Sequence, residues 1–385
     1  MGGDHSRHTA PETRQMQRLA LVVIAPVVVL TLVALVWLWP SADAVTVPEQ
    51  AAMTQYAGTV TALEAEECLE ELPDEVNGCG SARVSLTSGS KEGITVALPN
   101  GAGAPEVDVG DEVVLIRTSS PDGDVYSIVD HQRSDGLWVL AAAFALALVA
   151  FGRWRGLTAL AGLGVTFALL LLFVVPAILA GEPPLLVAIV GSSAIMLTVL
   201  YLTHGFALST TVAVLGTLVA LTLTGLLSAA TVAALHLTGV TDDLSASVGM
   251  SQGINTEGLL LAGIVIGSLG VLDDVTVTQA ATVSELARAN PSYRFLELYR
   301  AASRVGRSHI ASVVNTIILA YAGSSLPLII LIVANNDSLG GVVTDQIVAQ
   351  EIVRSVVATL GLIAAVPLTT ALAALALRTA PSPHR

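Results

Sequence analysis

The sequence predicts a polytopic α-helical membrane protein that carries one small all-β domain outside the membrane. The chain of 385 residues is 53% hydrophobic and only 12% charged, with a mean hydropathy of +0.74. A soluble domain is about a quarter charged, and apolar runs of membrane-spanning length recur along this chain. Residues 41–136 differ, because they hold 18 Asp or Glu against 4 Lys or Arg and so account for the net charge of −14.

The N-terminal region predicts a tail followed by a membrane anchor. Residues 1–18 are polar and predict a disordered cytoplasmic tail. Leu19–Trp39 is an apolar run, and about 20 such residues cross a bilayer. Residues 42–44 resemble a signal-peptidase site, but the apolar region exceeds the roughly 7–15 residues of a signal peptide. We therefore predict that residues 19–39 form a retained transmembrane anchor.

Residues 41–136 predict a small β domain. Five short stretches alternate apolar and polar residues and are separated by Gly, Pro, Asn and Asp turns: Gly58–Leu63, Ala82–Thr87, Ile94–Leu98, Val113–Arg117 and Val125–Val129. Five strands in so short a segment predict a small barrel of the OB type. The segment is acidic and lacks the basic, aromatic groove of a nucleic-acid-binding barrel, which argues against a nucleic-acid partner.

The two cysteines of the chain, Cys68 and Cys79, lie in this segment. A disulfide between them would close a small loop and stabilise the domain by about 2–3 kcal/mol. The alternative is two free thiols. Because the segment is predicted to lie outside the cytoplasm, where disulfides persist, we predict the disulfide.

From residue 137 onward the chain is predicted to be a seven-helix membrane domain that ends at residue 378. Together with the anchor, these spans make about eight transmembrane helices, and residues 379–385 form a cytoplasmic tail. The predicted spans are Leu137–Phe151, Leu157–Leu179, Pro184–Leu202, Phe206–Leu227, Leu259–Thr282, Ile310–Val333 and Ile347–Leu377.

The arginines predict the orientation of the spans. With the N-terminus in the cytoplasm, the loops at 180–183, 228–258 and 334–346 face outward, and none contains Lys or Arg. This asymmetry agrees with the positive-inside rule and places both termini inside and residues 41–136 outside. The chain uses Arg 16 times and Lys once, as in bacteria of high genomic GC content, so we expect a multi-pass protein of the bacterial cell membrane. The inward-facing arginines are Arg7, Arg14, Arg18, Arg153, Arg155, Arg288, Arg294, Arg300, Arg304, Arg307, Arg378 and Arg385.

Two adjacent acids, Asp273 and Asp274, interrupt the predicted span Leu259–Thr282. An ionised carboxylate in hydrocarbon is costly and usually faces a cavity or a partner. Two close carboxylates repel each other. Either one of them takes up a proton, or a cation such as a metal ion binds between them. The alternative places both acids in solvent at the cytoplasmic end of the helix. We predict that they form a proton or cation site.

Other polar residues are expected to complete this site. Neutral oxygens would come from residues that follow the acids and from the span Ile310–Val333. The glycine-rich segment 249–258 is either an entrance to the site or a plain surface loop. In the last span, Glu351 and Arg354 either form a local i, i+3 ion pair or supply counter-charge across the bundle. The additional candidate residues are Thr276, Thr278, Gln279, Asn315, Thr316, Asn255 and Glu257.

These residues favour secondary transport or conduction of a small ion or solute. The chain lacks a Walker P-loop, a His-Glu-x-x-His motif and a Gly-x-Ser-x-Gly elbow, which argues against an ATP-driven pump. One alternative is a membrane enzyme that uses the aspartates with a divalent metal on a lipid-linked phosphate. Another is a scaffold or signalling protein that binds partners through its outer domain. The expected partners are the bilayer and a small ion or solute; no cofactor beyond a coupling proton or metal cation is implied, and homo-oligomerisation stays open.

The chain resembles the YibE/F family of bacterial membrane proteins. The resemblance rests on the run GSLGVLDDVTVTQ at residues 267–279, supported by MSQGINTEG at 250–258, GRSHI at 306–310 and EIVR at 351–354. It covers about residues 137–378 and does not include the acidic domain. The resemblance implies several membrane spans and a bacterial membrane location, but it implies no substrate.

Overall fold

The computed structural model describes residues 14–40, 54–66, 68, 76–87, 93–101, 103–120, 123–240, 247, 249–250, 252–334 and 339–379. The chain divides into two compact units, residues 46–153 and residues 1–45 with 154–385. The predicted tails fall mostly outside the described residues, which begin at 14 and end at 379. Residues 14–18, predicted as part of the disordered tail, belong to the first helix instead.

The unit of residues 46–153 contains the predicted β domain. Its strands are β1 (Gln55–Glu66), β2 (Cys79–Leu86), β3 (Ile94–Ala97), β4 (Glu112–Ser120) and β5 (Gly123–His131). They form one antiparallel sheet in the order β3-β2-β1-β4-β5, and the two edge strands approach each other, so that the sheet curls into a half-barrel. The five predicted strands are confirmed, whereas closure of an OB-type barrel stays a prediction.

Alternation of side chains builds the core of this sheet. Val60, Ala82, Val84, Val113 and Leu115 are buried inside the curl, because every second residue of a strand faces the same side. The register shifts once in the β1–β2 pair and once in the β4–β5 pair. Such bulges increase the local bend and twist of a strand, which helps the sheet to curl.

The disulfide between Cys68 and Cys79 is confirmed, with the two Cα atoms 5.1 Å apart. Asn77 holds the chain next to it: its side-chain amide donates to the carbonyl oxygens of Pro99 and Pro105, at 2.6 and 2.8 Å. Its carboxamide oxygen accepts the backbone N–H of Val107 at 2.9 Å. The disulfide end of β2 is therefore tied to the segment that precedes β4. The same unit ends in α2 (Ser134–Gly152), which is apolar on all sides and buries none of its residues.

The second unit is helical. It contains α1 (Arg14–Trp37), α3 (Trp154–Leu169), a π-helical turn (Leu170–Val174), α4 (Val175–Leu179), α5 (Pro184–His204), α6 (Leu208–Ala234), α7 (Thr256–Ala289), α8 (Phe295–Ser324), α9 (Leu326–Ala334), α10 (Leu339–Thr344) and α11 (Gln346–Thr379). Over both units, seven described helical segments are long and apolar enough to cross a membrane: those of α1, α2, α3 with α4, α5, α6, α7 and α11. These segments fit a multi-pass membrane protein.

The predicted span Ile310–Val333 is not one helix. Helix α8 ends at Ser324 and α9 begins at Leu326. Pro327 explains the break, because it has no N–H to continue the hydrogen bonding of α8. At the junction, the N–H of Ser325 donates to the carbonyl of Tyr321, and its own carbonyl accepts the N–H of Ile329, both at 3.0 Å. Neither α8 nor α9 is among the seven candidate spans.

Helix α7 lies at the centre of the helical unit and packs against α5, α6, α8 and α11. Small residues let the neighbouring helices approach closely. On α6, Gly216 packs against the side chain of Thr369, and on α11, Gly361 packs against the side chain of Thr224. These reciprocal glycine–threonine contacts hold α6 and α11 together beside α7.

Candidate functional site

The two aspartates lie on an unbroken stretch of α7. Asp273 is half-buried and Asp274 is exposed, since adjacent helical residues point about 100° apart. Within the part of the chain that the structure describes, neither carboxylate forms an ion pair with a basic side chain. The structure therefore places one carboxylate partly inside the helical unit and the other on its surface.

Thr276 links α7 to α6. Its hydroxyl is fully buried and lies 2.5 Å from the hydroxyl of Thr217. Each hydroxyl also lies near a carbonyl of its own helix: Thr276 is 3.1 Å from the carbonyl oxygen of Asp273, and Thr217 is 3.0 Å from that of Ala213. Because a hydroxyl has one proton, one threonine donates across the helix interface while the other donates along its own helix.

Gln279, one turn further along α7, joins three helices. Its side-chain nitrogen donates to the carbonyl of Ala302 on α8 at 3.1 Å and to the hydroxyl of Thr370 on α11 at 2.7 Å. Thr370 in turn donates to the carbonyl of Val366 at 2.6 Å. Two of the predicted ligands, Thr276 and Gln279, are thus engaged in hydrogen bonds between helices.

The neutral residues predicted on α8 are not brought to the aspartates by a described contact. Asn315 and Thr316 are exposed, and the hydroxyl of Thr316 donates to the carbonyl of Ser312 at 3.2 Å. Thr278 is exposed on α7, on the same face as Asp274.

Asn255 and Glu257 lie at the beginning of α7, far from the aspartates. Asn255 caps the helix, because its side-chain oxygen accepts the backbone N–H of Gly258 at 3.0 Å. Glu257 is separated from Asp274 by about 25 Å of helix, at about 1.5 Å per residue. Both residues line a cavity of about 450 Å³ together with Glu182, from the turn before α5.

Glu351 and Arg354 form the local ion pair of α11, with Arg354 Nη1 3.1 Å from Glu351 Oε1. Each retains a buried atom without a hydrogen-bond partner among the described residues, namely Oε2 of Glu351 and Nε of Arg354. Seven such side-chain atoms are found in the described chain, and all but the hydroxyl of Ser192 belong to α8 or α11. Of these residues, Ser303 and Glu351 line cavities at the interface of α8 and α11, whereas Thr369 faces Gly216 of α6 and the Gln350 side chain contacts Val240.

Three cavities follow one another along that interface. The Glu351 cavity, of about 280 Å³, includes Tyr321, Ser325 and Ser355 in its lining. The Ser268 cavity, of about 140 Å³, lies between α7, α8 and α11 and shares Tyr321 with the first. The arginine cavity, of about 570 Å³, lies at the N-terminal half of α8 and is lined in part by Arg300, Ser303, Arg304, Arg307, Val366 and Pro367.

The row of cavities is about as long as a membrane is thick. On α11 its lining extends from Val348 to Pro367. At a rise of about 1.5 Å per residue this is about 28 Å, close to the roughly 30 Å of bilayer hydrocarbon. On α7, Leu272 lines the Ser268 cavity directly before Asp273. Among the described residues, no group of three or more His, Cys, Asp or Glu side chains could hold a metal ion.

Comparison with known proteins assigns the family. The model of the YibE/F-like protein family matches residues 140–379. The chain belongs to the YibE/F-like family. The match includes the aspartates and the α8–α11 interface, and it begins inside α2, after the strands of the β unit. Neither the search of curated proteins nor the search of solved structures found a match to this chain.

Several residues of this YibE/F-like site were missed by sequence reasoning. Thr217 forms a hydrogen bond with Thr276, which lies 59 residues further along the chain. Thr370 accepts a hydrogen bond from Gln279, which lies 91 residues before it. Spacing could have revealed that three arginines cluster, because Arg300, Arg304 and Arg307 recur at i, i+4 and i+7 and so share one helix face. From the sequence, these three arginines predicted only the orientation of the spans.

The contact of α8 with Gln279 and α11 gives a test of the packing. A Cβ at Gly306 would lie 2.5 Å from Val366 Cγ1 and 2.7 Å from Gln279 Oε1. We expect Gly306→Ala to lower the free energy of unfolding by about 1–3 kcal/mol, because overpacking forces helices apart. Gly323→Ala on the same helix is the matched control, since nothing lies within 4 Å of its Cβ position. Thermal unfolding in detergent measures both, and equal stability of the two variants would contradict this packing.

Proposed function

We propose that this YibE/F-like protein is a secondary transporter or channel of the bacterial cell membrane, and that a small ion or solute moves along the interface of α8 and α11. The row of three cavities carries this proposal, because it is about as long as the hydrocarbon layer. Buried polar atoms normally have hydrogen-bond partners. Water or a solute in the cavities would supply partners for the hydroxyl of Ser303 and the carboxylate of Glu351.

In this proposal Asp273 and Asp274 form the proton or cation site. A charge at this depth is too costly to retain without a use, and Asp273 directly follows a residue of the Ser268 cavity. Thr276 and Gln279 hold the helices in register around the acids, and Arg354 supplies counter-charge to Glu351. The proposal holds for a single chain or a homo-oligomer, because the residues that line the three cavities all belong to one helical unit.

The proposed topology has eight spans, with both termini in the cytoplasm. The second half of α8 together with α9 forms the eighth span. The first half of α8 carries arginines, which place it at the cytoplasmic surface. The β unit is then extracytoplasmic, a location that favours its Cys68–Cys79 disulfide. We assign this unit, taken as an OB-like domain, a role in gating, assembly or recognition.

Neutralising the aspartates tests the proposed ion site. Flux of protons, alkali cations, divalent cations and small solutes is measured in proteoliposomes. We expect the double variant Asp273→Asn and Asp274→Asn to lower the flux at least about tenfold, because the amides neither release a proton nor attract a cation. Glu285→Gln is the matched control on α7, since Glu285 is exposed and paired with Arg288. Wild-type flux in the double variant would contradict the ion site, and chelator-sensitive turnover of a lipid phosphate would favour an enzyme instead.

Filling the middle cavity tests the path. Ala320 lines the Ser268 cavity, and Ala311 is exposed on the same helix and lines none of the three cavities. We expect Ala320→Trp to block flux, because an indole occupies much of a cavity of about 140 Å³, and Ala311→Trp to retain it. Flux is compared in preparations with equal thermal stability. Equal flux through both variants would show that the path lies elsewhere.

A further inference from the structure

The arginine cavity gathers positive charge on one face of α8. Arg300, Arg304 and Arg307 line it together. Among the described residues, none of the three forms an ion pair with a carboxylate. Two other arginines of the helical unit are paired, since Arg288 lies 2.8 Å from Glu285 and Arg354 lies 3.1 Å from Glu351, whereas Arg155 and Arg294 form no ion pair among the described residues. Because like charges three and four residues apart on a helix repel, an anion bound among the three guanidinium groups would stabilise this end of α8.

The walls of the cavity are suited to more than a free anion. Ile310, Ile363 and Val366 give it an apolar side. The hydroxyl of Ser303 is buried there without a hydrogen-bond partner among the described residues. Pro367 has no N–H, so the carbonyl of Ile363 has lost its helical donor. The site thus combines three positively charged side chains, polar atoms that lack a hydrogen-bond partner among the described residues, and apolar side chains.

An anionic phospholipid matches this combination. Its phosphate provides oxygens for the bidentate hydrogen bonds that arginine prefers, its headgroup hydroxyls reach polar atoms, and its acyl chains cover apolar side chains. A soluble phosphate would use the guanidinium groups but gain nothing from the apolar wall. Basic pockets between helices at the cytoplasmic membrane surface are typical headgroup sites.

We propose that the arginine cavity binds the headgroup of an anionic phospholipid from the cytoplasmic leaflet. Arg300, Arg304 and Arg307 hold the phosphate, Ser303 donates to a headgroup oxygen, and an acyl chain lies along Ile363 and its apolar neighbours. The inference rests on the membrane orientation proposed above but not on transport. A lipid bound there would occupy the cytoplasmic end of the cavity row.

Native mass spectrometry of the purified full chain, titrated with phosphatidylglycerol or phosphatidylcholine, tests this site. We expect the wild type to bind phosphatidylglycerol more tightly than phosphatidylcholine. We expect the double variant Arg304→Gln and Arg307→Gln to lose affinity for phosphatidylglycerol by at least about tenfold. The control is Arg155→Gln with Arg288→Gln, which removes two positive charges predicted to face the same side but outside the cavity. Equal affinity of the two double variants, or no preference between lipids, would overturn the proposal.

A second pair of variants separates a cavity from a charged surface. Ile363 and Leu360 lie on α11 with similar exposed fractions, 44% and 45%, and only Ile363 lines the arginine cavity. We expect Ile363→Trp to weaken lipid binding and Leu360→Trp to leave it unchanged, with all charges retained. Unchanged lipid binding in Ile363→Trp would overturn the cavity site. Displacement of the lipid by millimolar inorganic phosphate would also overturn it, because the arginines would then bind a soluble anion. Because binding is measured without flux, this test is independent of transport.

Discussion

The hydrogen bonds of Gln279 to α8 and α11 are the constraint on which the helical unit depends. In hydrocarbon a polar side chain finds no water, so its partners must come from the protein. Gln279 meets this requirement with the Ala302 carbonyl and the Thr370 hydroxyl, and Thr276 meets it with Thr217. These bonds align α7 with α6, α8 and α11 at the level just beyond the aspartates. Gly306 allows the approach, because it has no side chain to separate α8 from Gln279 and Val366.

The same rule makes the α8–α11 interface unusual. On α7, Thr276 and Gln279 have hydrogen-bond partners on the neighbouring helices. Along α11, Gln350 Oε1, Glu351 Oε2, Arg354 Nε, Thr359 Oγ1 and Thr369 Oγ1 have no partner among the described residues. Cavities lie along this interface at three levels. Buried polar atoms without partners are costly to keep unless something polar reaches them, and this links the packing to the proposed path.

Local patterns predicted the elements of this YibE/F-like protein well. Apolar runs marked the seven candidate spans, and period-two alternation marked five strands, because both patterns follow from backbone geometry. The disulfide between Cys68 and Cys79 was predicted because their segment was expected to lie outside the cytoplasm, where disulfides persist. The interruption at Ser325 was missed because proline inside a membrane span is often tolerated without ending the helix.

The roles of the site residues could not be predicted in the same way. Sequence reasoning treated Thr276 and Gln279 as ligands, because a polar side chain in an apolar run has no visible partner along the chain. Their partners lie on other helices, and the packing that brings them together depends on glycines whose contacts cannot be read from spacing. Cavities are equally invisible, because they depend on volume that neighbouring helices leave unfilled.

In the proposed path, water or solute reaches all three levels of the α8–α11 interface, and cysteine accessibility tests this most directly. Each cavity is lined by a serine, namely Ser355, Ser268 and Ser303, whereas Ser192 is buried on α5 and lines none of the three. Single Ser→Cys variants in liposomes are treated with a water-soluble thiol reagent, with both native cysteines held in their disulfide. We expect labelling at residues 355, 268 and 303 and none at residue 192. If residue 268 proves as unreactive as residue 192, no aqueous path runs through the middle of the membrane and the claim is contradicted.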